Sequence, residues 1–212
     1  MRFVVSGTLM FFACLAFWNI YAVQEENKAA AELEELVKKV ESLTPDPHFP
    51  QDRFVLVTLQ EAIAAKKEGS GGIGACLVRE STGEIIARGH NRQFTPHFRS
   101  DMHAEMDLMD RYEDMAQVRK SAGRNPRQVD GLVLYSSVEP CPMCLTRIIN
   151  TGLKKTYYAA PDLDGGMVHK ISDLPAFWKD AAAGRIFAQA DCSPVMQEIA
   201  ARLFRNGQRG IR

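Results

Sequence analysis

A cysteine pair, Cys141 and Cys144, and a triplet, His103-Ala104-Glu105, combine residue types and spacings that could support chemistry at a metal ion. Cysteines three apart on the first turn of a helix face the same side, and the unpaired N–H groups there favour thiolates. Two thiolates on one face supply half of a tetrahedral metal site. The pair alone is equally compatible with redox exchange or with structural zinc.

The histidine of the triplet completes a set of three candidate ligands. A structural zinc site uses four protein ligands, whereas a catalytic site uses three and keeps a position for water. The other histidines in the globular part, His90, His97 and His169, are expected at strand ends or in loops, where surface or hydrogen-bonding roles outweigh ligation. The spacing therefore favours a catalytic zinc site.

Glu105 is the candidate for proton transfer. Residues two apart on a regular helix point to opposite sides, so His103 and Glu105 can reach one site only if they straddle a helix start. The metal would then lie at the ends of two helices. The combination H-x-E with P-C-x-x-C is typical of zinc-dependent base deaminases, in which the glutamate is the general acid and base.

Residues 52–207 resemble the cytidine/deoxycytidylate deaminase superfamily. The resemblance depends on the triplet at 103–105 and on Glu-Pro-Cys-Pro-Met-Cys at 139–144. It is closer to the branch that holds guanine deaminases and tRNA-specific adenosine deaminases, because of Gly-His-Asn at 89–91 and Asp-Leu-Asp-Gly-Gly at 162–166.

This resemblance implies a zinc-dependent hydrolase that releases ammonia from a nucleobase or nucleoside. It also implies a homodimer. The implied roles are metal ligation by His103, Cys141 and Cys144, proton transfer by Glu105, and contact with the base by Asn91 and Ala104.

The substrate is less well defined than the reaction. The branch often has Asp-Pro-x-Ala before the triplet, where this chain has Arg99, Ser100, Asp101 and Met102. A formal net charge of zero gives no overall attraction to nucleic acid. We therefore favour a small base or nucleoside, with a purine such as guanine ahead of a cytosine-type ring. A tRNA-specific adenosine deaminase is the alternative.

Two hypotheses of other classes stay open. One is a zinc-binding module without catalysis, which would have no need of Glu105. The other is a redox pair formed by Cys141 and Cys144 in an oxidising compartment. Metal content and ammonia release distinguish all three.

The N-terminus predicts export. Arg2 precedes an apolar run at 3–23, about the length of roughly 20 residues that a bilayer-spanning helix needs. We expect a signal peptide or an uncleaved anchor, and hence a periplasmic protein that contacts the inner membrane through residues 3–23 if they are retained. The residues that interrupt the run are Ser6, Gly7, Thr8 and Asn19.

The rest of the chain predicts a helix, a linker and one α/β domain. Residues 24–43 have apolar side chains at helical spacing, and three prolines at 44–50 mark a linker. Helical and strand patterns then alternate through 51–212, which predicts a three-layer α/β/α sandwich with a mixed five-stranded sheet. The expected organisation is a signal or anchor at 1–23, an amphipathic helix and linker at 24–50, and a deaminase domain at 51–212.

Overall fold

The structure, a computed structural model, describes residues 6–120 and 129–206, with side chains described for 23–115 and 129–206. These residues fall into two compact units, one ending at Lys39 and the other beginning at Val40. A single helix, α1 (Ser6–Ser42), forms the described part of the first unit. The second unit contains every other helix and strand of the described chain.

Helix α1 covers most of the predicted N-terminal segments. It continues without a break from the apolar run into the Glu- and Lys-rich stretch after residue 23. Among the helices in 6–120 and 129–206, none is both long enough and apolar enough to cross a bilayer. The predicted membrane contact and the predicted signal segment therefore have no support in the described part of the chain.

Five strands form one mixed sheet, as the sequence predicts. Strand β1 is antiparallel to β2 and β3, whereas β3, β4 and β5 run parallel. The spatial order is β2-β1-β3-β4-β5. The bounds are β1 (Gly74–Arg79), β2 (Glu84–His90), β3 (Leu132–Val138), β4 (Lys155–Ala160) and β5 (Ile186–Gln189).

Helices cover both faces of this sheet. Successive strand residues point to opposite faces, so β1 contributes Cys76 to one core cluster and Ala75 to the other. The first cluster contains Phe54 of α2, and the second contains Leu108 of α3 and Ile148 of α4. The predicted three-layer sandwich is thus confirmed. The helices are α2 (Asp52–Lys67), α3 (Ala104–Lys120), α4 (Pro142–Thr151), α5 (Ala176–Ala182) and α6 (Pro194–Arg205), with a short 3₁₀ helix at Ile171–Asp173.

Close packing fixes the start of α3 against the end of β2. A Cβ atom placed on Gly89 would lie 2.4 Å from the backbone nitrogen of Leu108, so only glycine permits this approach. Asp107, which is 2% exposed, accepts a hydrogen bond from the backbone N–H of His90 at 3.1 Å. The end of β2 and the first turns of α3 are therefore held together.

Candidate active site

Three predicted ligands converge from the starts of two helices. His103 directly precedes α3, Cys141 caps α4 with an extended backbone, and Cys144 lies in the first turn of α4. The Nδ1 atom of His103 is 3.6 Å from Sγ of Cys141 and 3.7 Å from Sγ of Cys144. All three ligand atoms lie within 4.8 Å of one another. The structure thus brings together the side chains that the sequence predicted.

The spacing of these atoms fits zinc. Bonds of about 2.3 Å to sulfur and about 2.0–2.1 Å to nitrogen, at tetrahedral angles, separate S from N by about 3.6 Å. Both sulfur–nitrogen distances in the structure agree with that value. Two sulfurs and one imidazole also form a donor set that zinc prefers, and three protein ligands are the number used by catalytic zinc sites.

The two thiols differ in acidity, although they are neighbours. A hydrogen bond from Cys144 is the main reason that the pKa of Cys141 falls to about 4, with a further contribution from His103. The same pairing, with burial, raises the pKa of Cys144 well above its usual value. Cys141 is therefore the more acidic thiol, and a bound cation would favour the thiolate form of both residues.

Glu105 lies beside the sulfur atoms, as expected if His103 and Glu105 straddle the start of a helix. It is in the first turn of α3, and its residue is 4% exposed. The Oγ–H of Ser136, on β3, donates to its Oε1 at 2.9 Å. Burial is the main reason that the pKa of Glu105 is raised, and the nearby Cys141 thiolate raises it further. A carboxyl with a raised pKa can both accept and return a proton near neutral pH.

A cavity of about 290 Å³ opens onto His103, Glu105 and Cys141. Its wall combines apolar side chains with a few polar groups, the usual composition of a ligand pocket. The volume is at the lower end of the range of about 300–1,000 Å³ for such pockets, so one flat ring system fits better than a whole nucleotide. The other lining residues are Gly71, Ile73, Asn91, Gln93, Phe94, Val138, Glu139, Asp162, Gly165 and Phe204.

The two residues predicted to contact the base have different positions. Asn91 follows β2 directly, is 3% exposed and lines the cavity, with its Oδ1 accepting the N–H of Gln93 at 2.9 Å. Ala104, in contrast, is fully buried in the core cluster of α3. Among the described residues, the cavity wall includes Asn91 but not Ala104.

Sequence reasoning missed a second buried carboxylate in the cavity wall. Oε1 of Glu139 accepts the backbone N–H of His169 at 2.8 Å and lies 2.7 Å from its Nδ1, and Oε2 accepts the N–H of Asp162 at 3.1 Å. A Cβ atom on Gly166 would lie 2.5 Å from the carboxyl carbon of Glu139. Glu139 thus organises the loop after β4. The position of Glu139 just before the cysteine motif was the available sequence signal for such a role. Its hydrogen-bond partners, Asp162 and His169, are distant in sequence.

The match to known proteins decides the family. The model of the cytidine and deoxycytidylate deaminase zinc-binding region matches residues 50–160. The chain belongs to this family. It is therefore a zinc-dependent hydrolytic enzyme, a deaminase of the cytidine, guanine or tRNA-adenosine type, as the motif resemblance implied.

Individual relatives agree with this assignment. The tRNA-specific adenosine deaminase of Bacillus subtilis is 38% identical over 57% of this chain and 68% of its own length. The guanine deaminase of the same organism is 32% identical over 56% of this chain and 76% of its own length. The predicted export to the periplasm, anchored by residues 3–23, is contradicted by these relatives, because one of them is named for transfer RNA, which an exported enzyme would not meet.

A solved structure shows the same fold. It comes from a study of A-to-I editing by tRNA:A34 deaminases, with 25% identity and a TM-score of 0.54. The match covers 71% of this chain and 98% of that one.

Proposed function

We propose that this deaminase removes the amino group of a purine, as the free base or the nucleoside, by hydrolysis. One observation carries the proposal: the buried carboxyl of Glu105 and the amide of Asn91 line one cavity together with His103 and Cys141 of the candidate ligand set. In such a cavity, a polar side chain can hydrogen-bond to the edge of a flat ring, and a carboxyl group can transfer protons next to the reacting carbon.

His103, Cys141 and Cys144 hold the zinc ion in this proposal. Bound zinc supplies a Lewis acid that lowers the pKa of a coordinated water. Glu105 would take a proton from the attacking water and deliver it to a ring nitrogen as the C–O bond forms. It would then take the proton of the hydroxyl group added to the ring carbon and deliver it to the amino group as the C–N bond breaks, which releases ammonia and leaves a ring carbonyl. One carboxyl can perform both transfers because Ser136 keeps its orientation throughout, through the hydrogen bond of 2.9 Å.

Asn91 reads the edge of the base in this proposal. An amide offers both a donor and an acceptor, which matches the alternating pattern on a purine edge. The backbone N–H of Asn91 donates to Ile73 O at 3.0 Å, and its Oδ1 is oriented by Gln93. The predicted base contact of Ala104 could come only from its backbone, since its side chain is buried.

Local charge favours a small substrate over nucleic acid. Two arginines lie in residues 91–102, beside the cavity, and both face acidic groups. Arg99 Nε donates to Asp101 at 2.9 Å, and Arg92 Nη1 is 3.8 Å from Asp107. Arginines already facing carboxylates have less charge to offer a phosphate backbone. Adenosine in transfer RNA is the second candidate, supported by the relative of 38% identity.

Ammonia release by the zinc-loaded protein tests this proposal. The substrates are guanine, adenine, their nucleosides, cytosine and a transfer RNA. We expect release from a purine base or nucleoside, and loss of zinc in Cys144→Ala. Release from transfer RNA alone would establish the second candidate. Bound zinc without release from any substrate would instead support a non-catalytic module, and absence of bound zinc would support the redox pair.

Two further expectations need separate measurements. The predicted homodimer is tested by the mass from sedimentation velocity at micromolar concentration. The predicted domain boundary is tested with a fragment of residues 51–212, which should retain zinc and ammonia release if the deaminase domain begins there.

A further inference from the structure

Two phenylalanines are exposed on the loop that joins β2 to α3. Phe94 is 40% exposed, Phe98 is 66% exposed, and their ring centroids are 5.7 Å apart with a tilt of 39°. Phe94 also lines the cavity beside the zinc ligands. Large apolar side chains that stay exposed and touch each other commonly mark a binding surface. This pair therefore extends the apolar cavity wall out to solvent.

The loop holds Phe94 in place before any ligand binds. The backbone N–H of Phe94 donates to Oγ of Ser70 at 3.2 Å, and the hydroxyl of Thr95 donates to the carbonyl of Glu68. The N–H of Arg99 donates to the carbonyl of Gln93 at 2.8 Å, which closes the loop across Phe94. A loop backbone fixed in this way loses little conformational freedom when a ligand packs on Phe94.

The polar groups of the cavity account for the edge of a flat ring but not for its faces. Hydrogen bonds from Asn91 and proton transfer by Glu105 both act on edge atoms. The faces of an aromatic ring are best packed by another aromatic ring, in an offset or tilted arrangement. Phe94 is three residues after Asn91 and lines the same cavity, so it can supply that contact.

We propose that Phe94 packs on the face of the base and sets a preference for a two-ring purine over a one-ring pyrimidine. Phe98 braces the ring of Phe94 from outside the cavity. The second ring of a purine increases the stacked area, so the preference grows with ring size. This inference rests on the proposed function and adds the residue that selects the substrate class.

The chain offers a matched control pair elsewhere. Phe177, on α5, is 69% exposed and meets Trp178 edge to face, with ring centroids 5.2 Å apart. Neither residue is part of the cavity wall in the described chain. A variant of Phe177 therefore removes an exposed aromatic contact of similar size without touching the site.

Calorimetric titration with unsubstituted purine and with pyrimidine tests the inference, because neither ring carries an amino group to release. In the zinc-loaded protein, Phe94→Ala should weaken purine binding about tenfold, within the range measured for base–aromatic stacking. Binding of pyrimidine should weaken less. Phe94→Tyr should stay close to the wild type, Phe98→Ala should weaken purine binding less than Phe94→Ala, and Phe177→Ala should leave it unchanged.

Three results would overturn the inference: no purine binding by the wild type, equal purine binding by the wild type and Phe94→Ala, or equal weakening for purine and pyrimidine. Equal weakening would mean that Phe94 contacts any ring in the cavity and does not select purines. Steady-state kinetics adds a second readout, because loss of stacking should raise KM for the purine substrate with kcat nearly unchanged. Purine binding that depends on Phe94 without any ammonia release would refute the proposed function and leave the stacking contact intact.

Discussion

Two buried glutamates line the same cavity, and their surroundings are opposite. Glu105 accepts a hydroxyl hydrogen bond from Ser136 and faces the sulfur atoms. Glu139 accepts two backbone N–H groups and faces a histidine Nδ1, and its side chain is completely buried. A carboxylate that receives several N–H bonds is held in one place. A carboxyl whose pKa is raised by burial, as that of Glu105 is, can exchange its proton near neutral pH.

The comparison teaches that burial alone does not identify a catalytic group. Both residues are buried to a similar extent, at 4% and 3% exposed, and both belong to short motifs near the cysteines. What separates them is the kind of partner: Glu105 meets a hydroxyl group and the thiols, whereas Glu139 meets two backbone N–H groups and a histidine. We therefore expect Glu105 to control the rate and Glu139 to control the shape and stability of the cavity wall.

The largest expected effect is that of Glu105→Gln on activity. Loss of the general acid and base should lower kcat by about 10²- to 10⁴-fold. Zinc content should stay the same, since the ligands are untouched, and stability should not fall, because a buried charge is removed. Ammonia release, metal analysis and denaturant unfolding measure these quantities. A variant that keeps more than a tenth of the activity would contradict the assigned role.

Glu139→Gln should act mainly on stability. The NH₂ group of the introduced glutamine would face backbone N–H groups whose hydrogen bonds the carboxylate now accepts. This should lower the free energy of unfolding by about 2 kcal/mol. Urea denaturation measures this change. Glu84→Gln, at an exposed position, is the control and should change stability by less than about 0.5 kcal/mol. Equal stability of the two variants would mean that the hydrogen bonds to Glu139 contribute little.

Ser136→Ala tests the effect of the hydroxyl group that donates a hydrogen bond to Glu105. The hydrogen bond from Ser136 lowers the pKa of Glu105, so removing it should raise that pKa and move the acidic limb of the pH profile of kcat/KM to higher pH. We also expect kcat to fall by roughly tenfold or less. The control is Ser137→Ala, whose hydroxyl accepts the N–H of Gly74 instead. An acidic limb at the same pH as in the wild type would mean that Ser136 does not influence proton transfer by Glu105.

A second carboxylate–histidine contact extends the comparison away from the cavity. His90 Nδ1 is 2.9 Å from Glu61 and Nε2 is 3.2 Å from Glu68, and the bond to Glu61 is the main reason that the pKa of His90 is raised. A raised folded-state pKa stabilises the fold fully below the unfolded value of about 6.5, and this contribution is lost as the pH rises through the folded value.

His90→Gln should therefore cost more stability at low pH than at high pH, by a difference on the order of 1 kcal/mol. Urea unfolding from pH 5 to pH 9, in steps of about one unit, measures the difference across this range. His97→Gln, at an exposed loop position, should show no such trend. A cost for His90→Gln that is independent of pH would mean that the histidine acts through packing alone.

Much of the site could be predicted because its chemistry is local in sequence. The cysteine spacing places both sulfurs on one helix start, and the histidine and glutamate straddle another. The strand and helix patterns likewise depend on periodicities that neighbouring residues carry. These features require little knowledge of how distant segments pack.

The export prediction was wrong because it, too, depended only on residues that are neighbours in sequence. An apolar run measured over its own residues resembles a membrane segment, but the structure continues it as one helix into charged residues. Whether an apolar segment ends where its composition changes depends on the elements that follow. Sequence composition alone does not define that boundary.

The sequence by itself determined the candidate metal ligands, the candidate proton carrier and the α/β architecture, since each follows from spacing and periodicity along the chain. Only the tertiary structure placed Ser136 against Glu105, His169 against Glu139, and Phe94 in the wall of the cavity. These contacts join strands, helices and loops that lie far apart in the chain. They depend on how the sheet and its connecting loops pack, and no local pattern records that.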